Sequence, residues 1–300
     1  MKLDLFFLVD KIKKRWGLCA SSFSFVFLSC ISYFLFIAPV EYRSSAVLMV
    51  TQEQRGGNQA NQLSNLVGLG GLSSLIGSQN VDSNYAIELI QSKNFLKRLI
   101  QKDESLIPKI YASSKFDKAK QMIIYKDNLY NNDQNKWVRK VKSPYQSKPN
   151  FVEIHSNYLE VVNIFNNRET GFLYLSTQHV SPIFSFEFLE MIVREINLYA
   201  KEKDLIEIEK SLNFLYEQYQ IYTESSVRAS INNLIESNLE KQMYANTKEE
   251  YLLTIIDAPY LPLEDNALSK ILVLVLSLLL STISTVTFLF LMLYREGTIK

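Results

Sequence analysis

PIFSFEFLEMIVREINLYAKEKDLIEIEKSLNFLYEQYQIYTESSVRASINNLIESNLEKQMYANTKEEYLLTIIDAP, residues 182–259, has no glycine or proline between its terminal prolines. Nothing inside it is built to break a helix. Apolar residues recur at helical spacing. Phe186, Leu189, Ile192, Ile196 and Tyr199 form one stripe. Ile208, Leu212, Leu215, Tyr219 and Tyr222 continue it with gaps of four and three, and Val227, Ile231, Leu234, Ile235, Leu239 and Met243 form a further run. That is the rhythm of a helix packing on other helices. Charges such as Glu195, Lys201, Glu202, Lys203, Glu207, Glu209 and Lys210 are assigned to the other faces. A single straight helix would reach about 100 Å at ~1.5 Å per residue. The spacing therefore predicts a long helical region over 182–250 that turns near Thr223-Glu-Ser-Ser226, where serine offers an N-cap, and returns as a second helix. On this stretch alone, a soluble helical bundle fits equally well.

The ends of the chain argue against that. Trp16 to Val40 and Ile271 to Tyr294 carry no charge, and each run exceeds the ~20 residues needed to cross a bilayer core. The first is too long for a secretory signal and has no small-x-small cleavage site. Leu28-Ser29-Cys30 is a partial lipobox, but apolar residues continue past it to Ile37. Both runs are read as spans. Lys2, Lys11, Lys13, Lys14 and Arg15 outweigh Asp4 and Asp10 before the first span, and Arg295 and Lys300 outweigh Glu296 after the second. Positive ends stay cytoplasmic. The expected order is a cytoplasmic N-terminus (1–15), transmembrane helix 1 (16–40), a periplasmic domain (41–270), transmembrane helix 2 (271–294) and a cytoplasmic C-terminus (295–300). Lys11 to Arg15 forms a basic anchor for the inner leaflet. The 300 residues carry a net charge of only +1, with no basic footprint for nucleic acid. Cys19 and Cys30 both fall in the first span, so no disulfide is expected in the exported part.

Within 41–270, Tyr42 to Val50 alternates and reads as a strand. Gln52 to Asn61 is a polar loop. Leu66 to Gly77 is an apolar glycine-rich segment without the Gly-Lys-Ser/Thr of a phosphate loop. Ser83 to Lys102 reads as an amphipathic helix capped by Asp82 or Ser83, with Ile87, Ile90, Phe95 and Leu99 inward. Phe116 to Tyr130 reads as another helix, and Asn131 to Asn150 as a surface loop around Trp137. Val161 to Asn166 and Phe172 to Thr177 flank a turn ending at Gly171, a hairpin. Ser181 caps the long helix and Pro182 takes its first position. Tyr251 to Ile256 is a short strand, and Asp257 to Pro262 is extended. The first strand, the hairpin and the last strand can meet. The predicted fold class is an α+β membrane protein: two transmembrane helices flanking a periplasmic domain with a small α/β base and a long helical hairpin.

Catalytic chemistry finds no support. His155 and His179 lie at the edges of predicted strands and read as surface residues. No Cys/His cluster has metal-ligand spacing, and no Ser-His-Asp arrangement can be assembled. Glu264 and Asp265 are paired carboxylates in a linker. No enzyme activity, catalytic residue, metal or cofactor is expected.

Seven stretches follow one another along the chain: Tyr42-Arg-Ser-Ser-Ala-Val-Leu48, Gly68-Leu-Gly-Gly-Leu-Ser-Ser-Leu75 with Ala86-Ile-Glu-Leu-Ile-Gln-Ser-Lys-Asn-Phe95, Lys136-Trp-Val-Arg139, Thr170-Gly-Phe-Leu-Tyr-Leu-Ser176 with His179-Val-Ser-Pro182, Ser211-Leu-Asn-Phe-Leu-Tyr-Glu-Gln218, Ala245-Asn-Thr-Lys-Glu-Glu-Tyr251, and Ile256-Asp-Ala-Pro259 with Pro262. In this order they resemble the bacterial polysaccharide co-polymerases, the chain-length determinant (Wzz-type) proteins. The chain departs from the family in having Ser269-Lys270 where a Pro-Lys pair is usual, and in a second span without glycine. The chain ends at Lys300, which resembles the kinase-free type. The resemblance implies an inner-membrane protein that controls the chain length of a surface polysaccharide such as O-antigen or capsule. It implies a homo-oligomeric ring of about eight subunits, with a separate Wzy-type polymerase, lipid-linked polysaccharide and the membrane as partners. Two other classes stay open: an adaptor of a polysaccharide export or secretion complex, and a two-span sensor. A sensor would need a cytoplasmic output domain, and an adaptor a many-stranded lipoyl-like domain.

The residues expected to couple this domain to membrane and partners follow from backbone chemistry and position. Pro259 and Pro262 have fixed φ and donate no hydrogen bond, so they hold the chain extended. Lys270 sits at the boundary of the second span, where its ammonium stays in the interface. Ser277, Ser281 and Ser284, with Thr285, recur three to four residues apart and share one helix face. Small polar residues let transmembrane helices approach. Changing Leu279 and Leu289 to alanine is expected to do little.

Overall fold

The computed structural model describes residues 16–33, 40–51, 78–266 and 270–295. The expectations for the basic N-terminus, the polar loop 52–61, the glycine-rich segment 66–77 and the tail after Arg295 lie outside the described residues. The chain forms two compact units, 41–265 and the pair of end segments 1–40 and 266–300.

The larger unit is built on a four-stranded antiparallel sheet in the order β6-β7-β1-β8. Its strands are β1 (Tyr42–Val50), β6 (Val162–Asn166), β7 (Leu173–His179) and β8 (Leu253–Asp257). The first strand, the hairpin and the last strand do meet. Alternation explains why β1 forms: Tyr42, Ser44, Ala46, Leu48 and Val50 are buried and the residues between them are not, the period-2 pattern of a sheet with one covered face. The β6–β7 turn uses Gly171 at φ +74°, a conformation glycine adopts without a Cβ penalty. The Gly171 N–H donates to the Asn167 carbonyl at 2.7 Å.

The covered face carries the long helix α6 (Pro182–Ile221), which packs on β1 and β7. Ser181 caps it, its hydroxyl accepting from Phe184 N, and Pro182 occupies the first turn. At 40 residues it runs about 60 Å. It stops at Ile221, and α7 (Ser225–Thr247) packs back against it. The expected turn is present, but its cap is different. Glu224, not a serine, holds the cap position; its carboxylate accepts from the Ser226 hydroxyl at 3.2 Å and makes no cap bond to the helix backbone. The turn is tied instead by Arg228, whose Nε donates to the Tyr222 carbonyl at 2.7 Å while its guanidinium lies over the Tyr219 ring.

Other expectations are corrected. The helix predicted over Ser83–Lys102 is two helices, α2 (Ser78–Gln91) and α3 (Lys93–Lys102). Ser92 adopts extended φ/ψ between them and its hydroxyl accepts from Phe95 N at 3.1 Å, so a local cap overrides the apolar period. The helix predicted over Phe116–Tyr130 is a hairpin of β2 (Ser113–Asp117) and β3 (Met122–Tyr125). It follows a short helix α4 (Leu106–Ala112). The Asp117 carboxylate accepts from the N–H groups of Ala119 and Lys120, and Gln121 takes φ +52°. That turn chemistry breaks a helix before it starts. The predicted loop around Trp137 contains a small ladder of β4 (Tyr130–Asn131) and β5 (Lys136–Trp137), with Trp137 packed against Tyr111 and Tyr130. A further helix, α5 (Phe151–Val161), had no sequence expectation. Asn150 and Glu153 form its capping box.

The smaller unit pairs α1 (Trp16–Ser32) with α8 (Lys270–Arg295). Among the described residues, one helix, over Leu272–Leu291, is long and apolar enough to cross a membrane. The described part of α1 is apolar and has 17 residues. Of the span expected over 16–40, residues 34–39 lie outside the described residues, and Val40 is non-helical.

Candidate membrane-coupling site

The route out of the larger unit begins at β8. β8 pairs with the second half of β1, and the register shifts at Val47/Leu48. Beyond Asp257 the ladder stops, because Pro259 has no N–H to donate. The chain continues beside the start of β1, tied by the Ser44 hydroxyl, which donates to the Tyr260 carbonyl at 2.7 Å. Pro262 is buried and Pro259 half-buried. Tyr260, Leu261 and Leu263 are exposed, Leu263 at 89%.

The other end of β8 is held by a residue that sequence reasoning missed. Asn197, buried on α6, accepts from Leu252 N at 2.7 Å and Leu253 N at 2.8 Å through Oδ1. Its Nδ2 donates to Leu253 O at 3.0 Å and Val193 O at 3.2 Å. One amide thus replaces the partners that the first residues of an edge strand lack. An asparagine beside Ile196 on an inward stripe is the signal that could have flagged it.

In the smaller unit, Ser277, Ser281, Thr285 and Leu289 follow one another at steps of four along α8. Ser277 and Ser281 are fully buried, Leu289 is buried and Thr285 half-buried. This is one ridge of the helix, and it lies on the side covered by the α1 contact. Each serine bonds its own backbone, Ser277 Oγ to Leu274 O and Ser281 Oγ to Leu278 O, both at 2.9 Å. Ser284 is half-buried at the flank of the ridge. Leu279 is exposed, in keeping with little effect of its change to alanine, but Leu289 is on the ridge itself. Its place follows from the i+4 step from Thr285. Lys270 opens α8. The structure therefore brings Ser277 and Ser281 together in one helix face. It places Pro259 and Pro262 in the larger unit.

The polar groups elsewhere are structural in their contacts. Glu195, expected on a solvated face, is 1% exposed and accepts from Arg98 Nε at 3.2 Å and Lys102 Nζ at 2.7 Å. Arg98 also forks onto Glu202, which raises the guanidinium pKa and lowers that of Glu202. Arg139 is buried, bidentate on Glu153, and donates to Tyr111 and to the carbonyls of Gln146 and Ser147. That pairing, first through the Arg139 hydrogen bonds, holds the Glu153 carboxyl down at about 2. His179 is not a surface residue. It is buried, its Nδ1 accepting from Ser181 N and its Nε2 therefore donating to Lys109 O at 2.9 Å. Burial pushes its pKa down to about 4, so it is a neutral strut at neutral pH. His155 lies in α5 and donates to the Gln91 carbonyl. A groove of about 490 Å³ beside α6 and α7 is lined by Tyr85, Lys203, Asp204, Glu207 and Lys241 among others. Two of its charges are engaged locally, Lys203 donating to the Tyr85 hydroxyl and Asp204 accepting from that of Tyr251. Among the described residues, no group of three or more His, Cys, Asp or Glu could hold a metal.

Comparison with known proteins yields a family match. The family model described as "Wzz: Chain length determinant protein" matches residues 1–102. No curated protein matches the chain. A solved structure titled "full-length bacterial polysaccharide co-polymerase" aligns at 10% identity, covering 99% of this chain and 98% of that one, with a TM-score of 0.37.

Proposed function

We propose, starting from a chain whose first 102 residues are of the chain length determinant family, that this protein regulates the length of a bacterial surface polysaccharide as a membrane-anchored co-polymerase. The family match carries the reading. It also covers β1, the strand on which the sheet of the larger unit is assembled. In this reading, Trp16–Val40 and Ile271–Tyr294 both cross the inner membrane, both termini are cytoplasmic, and residues 41–270 are periplasmic. The protein acts as a homo-oligomeric ring beside a separate polymerase that extends lipid-linked polysaccharide. Its contribution is positioning, and it forms no covalent intermediate.

The coupling residues acquire distinct roles. Pro259 and Pro262 end the β8 ladder and hold the exit extended. Lys270 keeps the start of α8 at the interface. Ser277 and Ser281 let α1 and α8 approach closely. Ser284, on the flank, is the position a partner helix can reach. The decisive experiment is the polysaccharide ladder on a gel with and without the gene. Loss of the modal length, with polymer still made, is expected. An unchanged ladder overturns the proposal. A Ser284→Leu protein that inserts and assembles normally should shift the ladder to shorter, less controlled lengths.

A further inference from the structure

We propose that the β2–β3 hairpin is a membrane-surface contact, docking on the anionic headgroups of the bilayer. The inference rests on the reading that α8 spans a membrane. Three observations carry it.

The first is position. Both ends of the larger unit leave from the same corner: Ser44, two residues after Tyr42, is bonded to the Tyr260 carbonyl. The hairpin tip is at that corner too. The Lys118 ammonium lies 5.4 Å from the centre of the Tyr42 ring, and Asp265 is within electrostatic range of it. From Asp265 only five residues of chain lead to Lys270, at most about 18 Å when fully extended.

The second is chemistry. One face of the hairpin packs inward, with Ile123 against the core. The other presents Lys115 opposite Ile124, then Met122, with Lys118 and Lys120 at the tip, all exposed. The single acid among them, Asp117, has its carboxylate engaged by the N–H groups of Ala119 and Lys120. Lysines interleaved with exposed apolar side chains suit a headgroup layer, where the stems lie along lipid and the ammonium groups meet phosphate.

The third is the contrast with a protein partner. Lysine is depleted in the cores of protein–protein interfaces, whereas each one near an anionic bilayer adds to binding. At the same corner the exit strand presents exposed Leu261 and Leu263, followed by exposed Glu264 and Asp265.

The test uses the full chain, with Cys19→Ser and Cys30→Ser, in phosphatidylcholine nanodiscs with or without phosphatidylglycerol. Fluorophores are placed singly at Ala119→Cys on the tip, Asn232→Cys on α7 and Leu279→Cys on α8. Headgroup-level and acyl-chain spin-labelled lipids serve as quenchers. The tip label should be quenched by headgroup probes when phosphatidylglycerol is present, and the α7 label should not. Lys115→Gln and Lys120→Gln, which break no described side-chain bond, should each lower the docked-to-free ratio about fivefold. A tip label quenched no more than the α7 label, with the Leu279 label in lipid, overturns the inference and leaves the membrane reading standing. A Leu279 label outside lipid overturns both. Protection of the tip that ignores lipid charge and the lysine variants assigns the surface to a protein or a second copy, which also overturns it.

Discussion

The two halves of α6 share one continuous helix and live in different surroundings. From Phe184 to Ala200 the helix lies on the sheet and buries Phe184, Phe188, Leu189, Ile192, Val193, Ile196 and Ala200, with Glu195 and Asn197 buried and paired among them. From Ile206 to Ile221 only Ile208, Leu212 and Leu215 are buried, at the a/d spacing of a two-helix seam with α7. Ile206, Phe214, Tyr216 and Ile221 are exposed. The same apolar rhythm thus serves two purposes. Against a sheet, a wide stripe is covered on several sides. Against a single returning helix, only a narrow seam is covered, and Ile206, Phe214, Tyr216 and Ile221 are left exposed outside it.

The sharpest way to test that contrast is to make equal truncations in the two halves. Phe188→Ala removes a fully buried ring that packs on Tyr158 and Phe184, and should cost about 3–5 kcal/mol in denaturant unfolding. Leu215→Ala lies on a seam that can close around the gap, and should cost about 2 kcal/mol. Equal costs would mean that the second half is packed as tightly as the first.

Asn197 tests whether the first half also organises the sheet. Asn197→Leu keeps the volume but leaves the N–H groups of Leu252 and Leu253, at the entry to β8, unpaired, at about 1–3 kcal/mol each. Amide exchange at Leu252 and Leu253 should accelerate more than that at β7. If exchange rises uniformly, the clamp is not specific to β8.

Acid should probe the junction between β7 and α6. The folded pKa of His179 is about 4, below its usual 6.5. Below pH 6.5 the unfolded chain takes up a proton that the folded chain refuses, so stability falls from pH 6.5 to about 4, by on the order of 3 kcal/mol. His179→Gln, a neutral residue with donor and acceptor, should flatten that window. Glu153, with a folded pKa of about 2, stabilises above its usual 4.5, and that contribution is lost as pH falls from 4.5 towards 2. Glu153→Gln should remove this second stage and leave the first. Unfolding midpoints across pH 2–7 separate the two.

How far these features can be read in advance differs by the kind of interaction. β1 is legible because its alternation repeats over nine residues, and the α6–α7 turn is legible from its run of short polar residues. The β2–β3 hairpin is not, because Phe116 and Ile123 are seven apart and mimic a helical stripe. What decides there is the Asp117 turn, a local competition between side chain and backbone. Glu195 is misread for another reason. A charge on a helix belongs outside unless cations from another helix meet it, and Arg98 and Lys102 are far away in sequence. In the coupling site, the exit prolines follow from a missing donor and the serine period is visible on α8. Which flank of the ridge is covered depends on α1, so Leu289 looks equivalent to Leu279 until the helices are paired.

The smallest effect on stability belongs to the residues that the second half of α6 leaves uncovered. Phe214 is 58% exposed and Ile221 67%, and neither lies on the seam with α7. Phe214→Ser and Ile221→Ser, made together, should change unfolding stability by no more than about 0.5 kcal/mol. If the ring of the proposed function is closed by contacts along this half, the same double variant should lower the assembled mass in detergent and broaden the polysaccharide length distribution, while Phe188→Ala, with assembly intact at low temperature, should not. Exposed apolar residues at a surface that stays in water have no reason to show such a split between stability and assembly. Loss of stability in the double variant would mean that these side chains are part of the protomer's own packing. Unchanged mass and unchanged lengths would move the subunit contact to the first half or to the sheet.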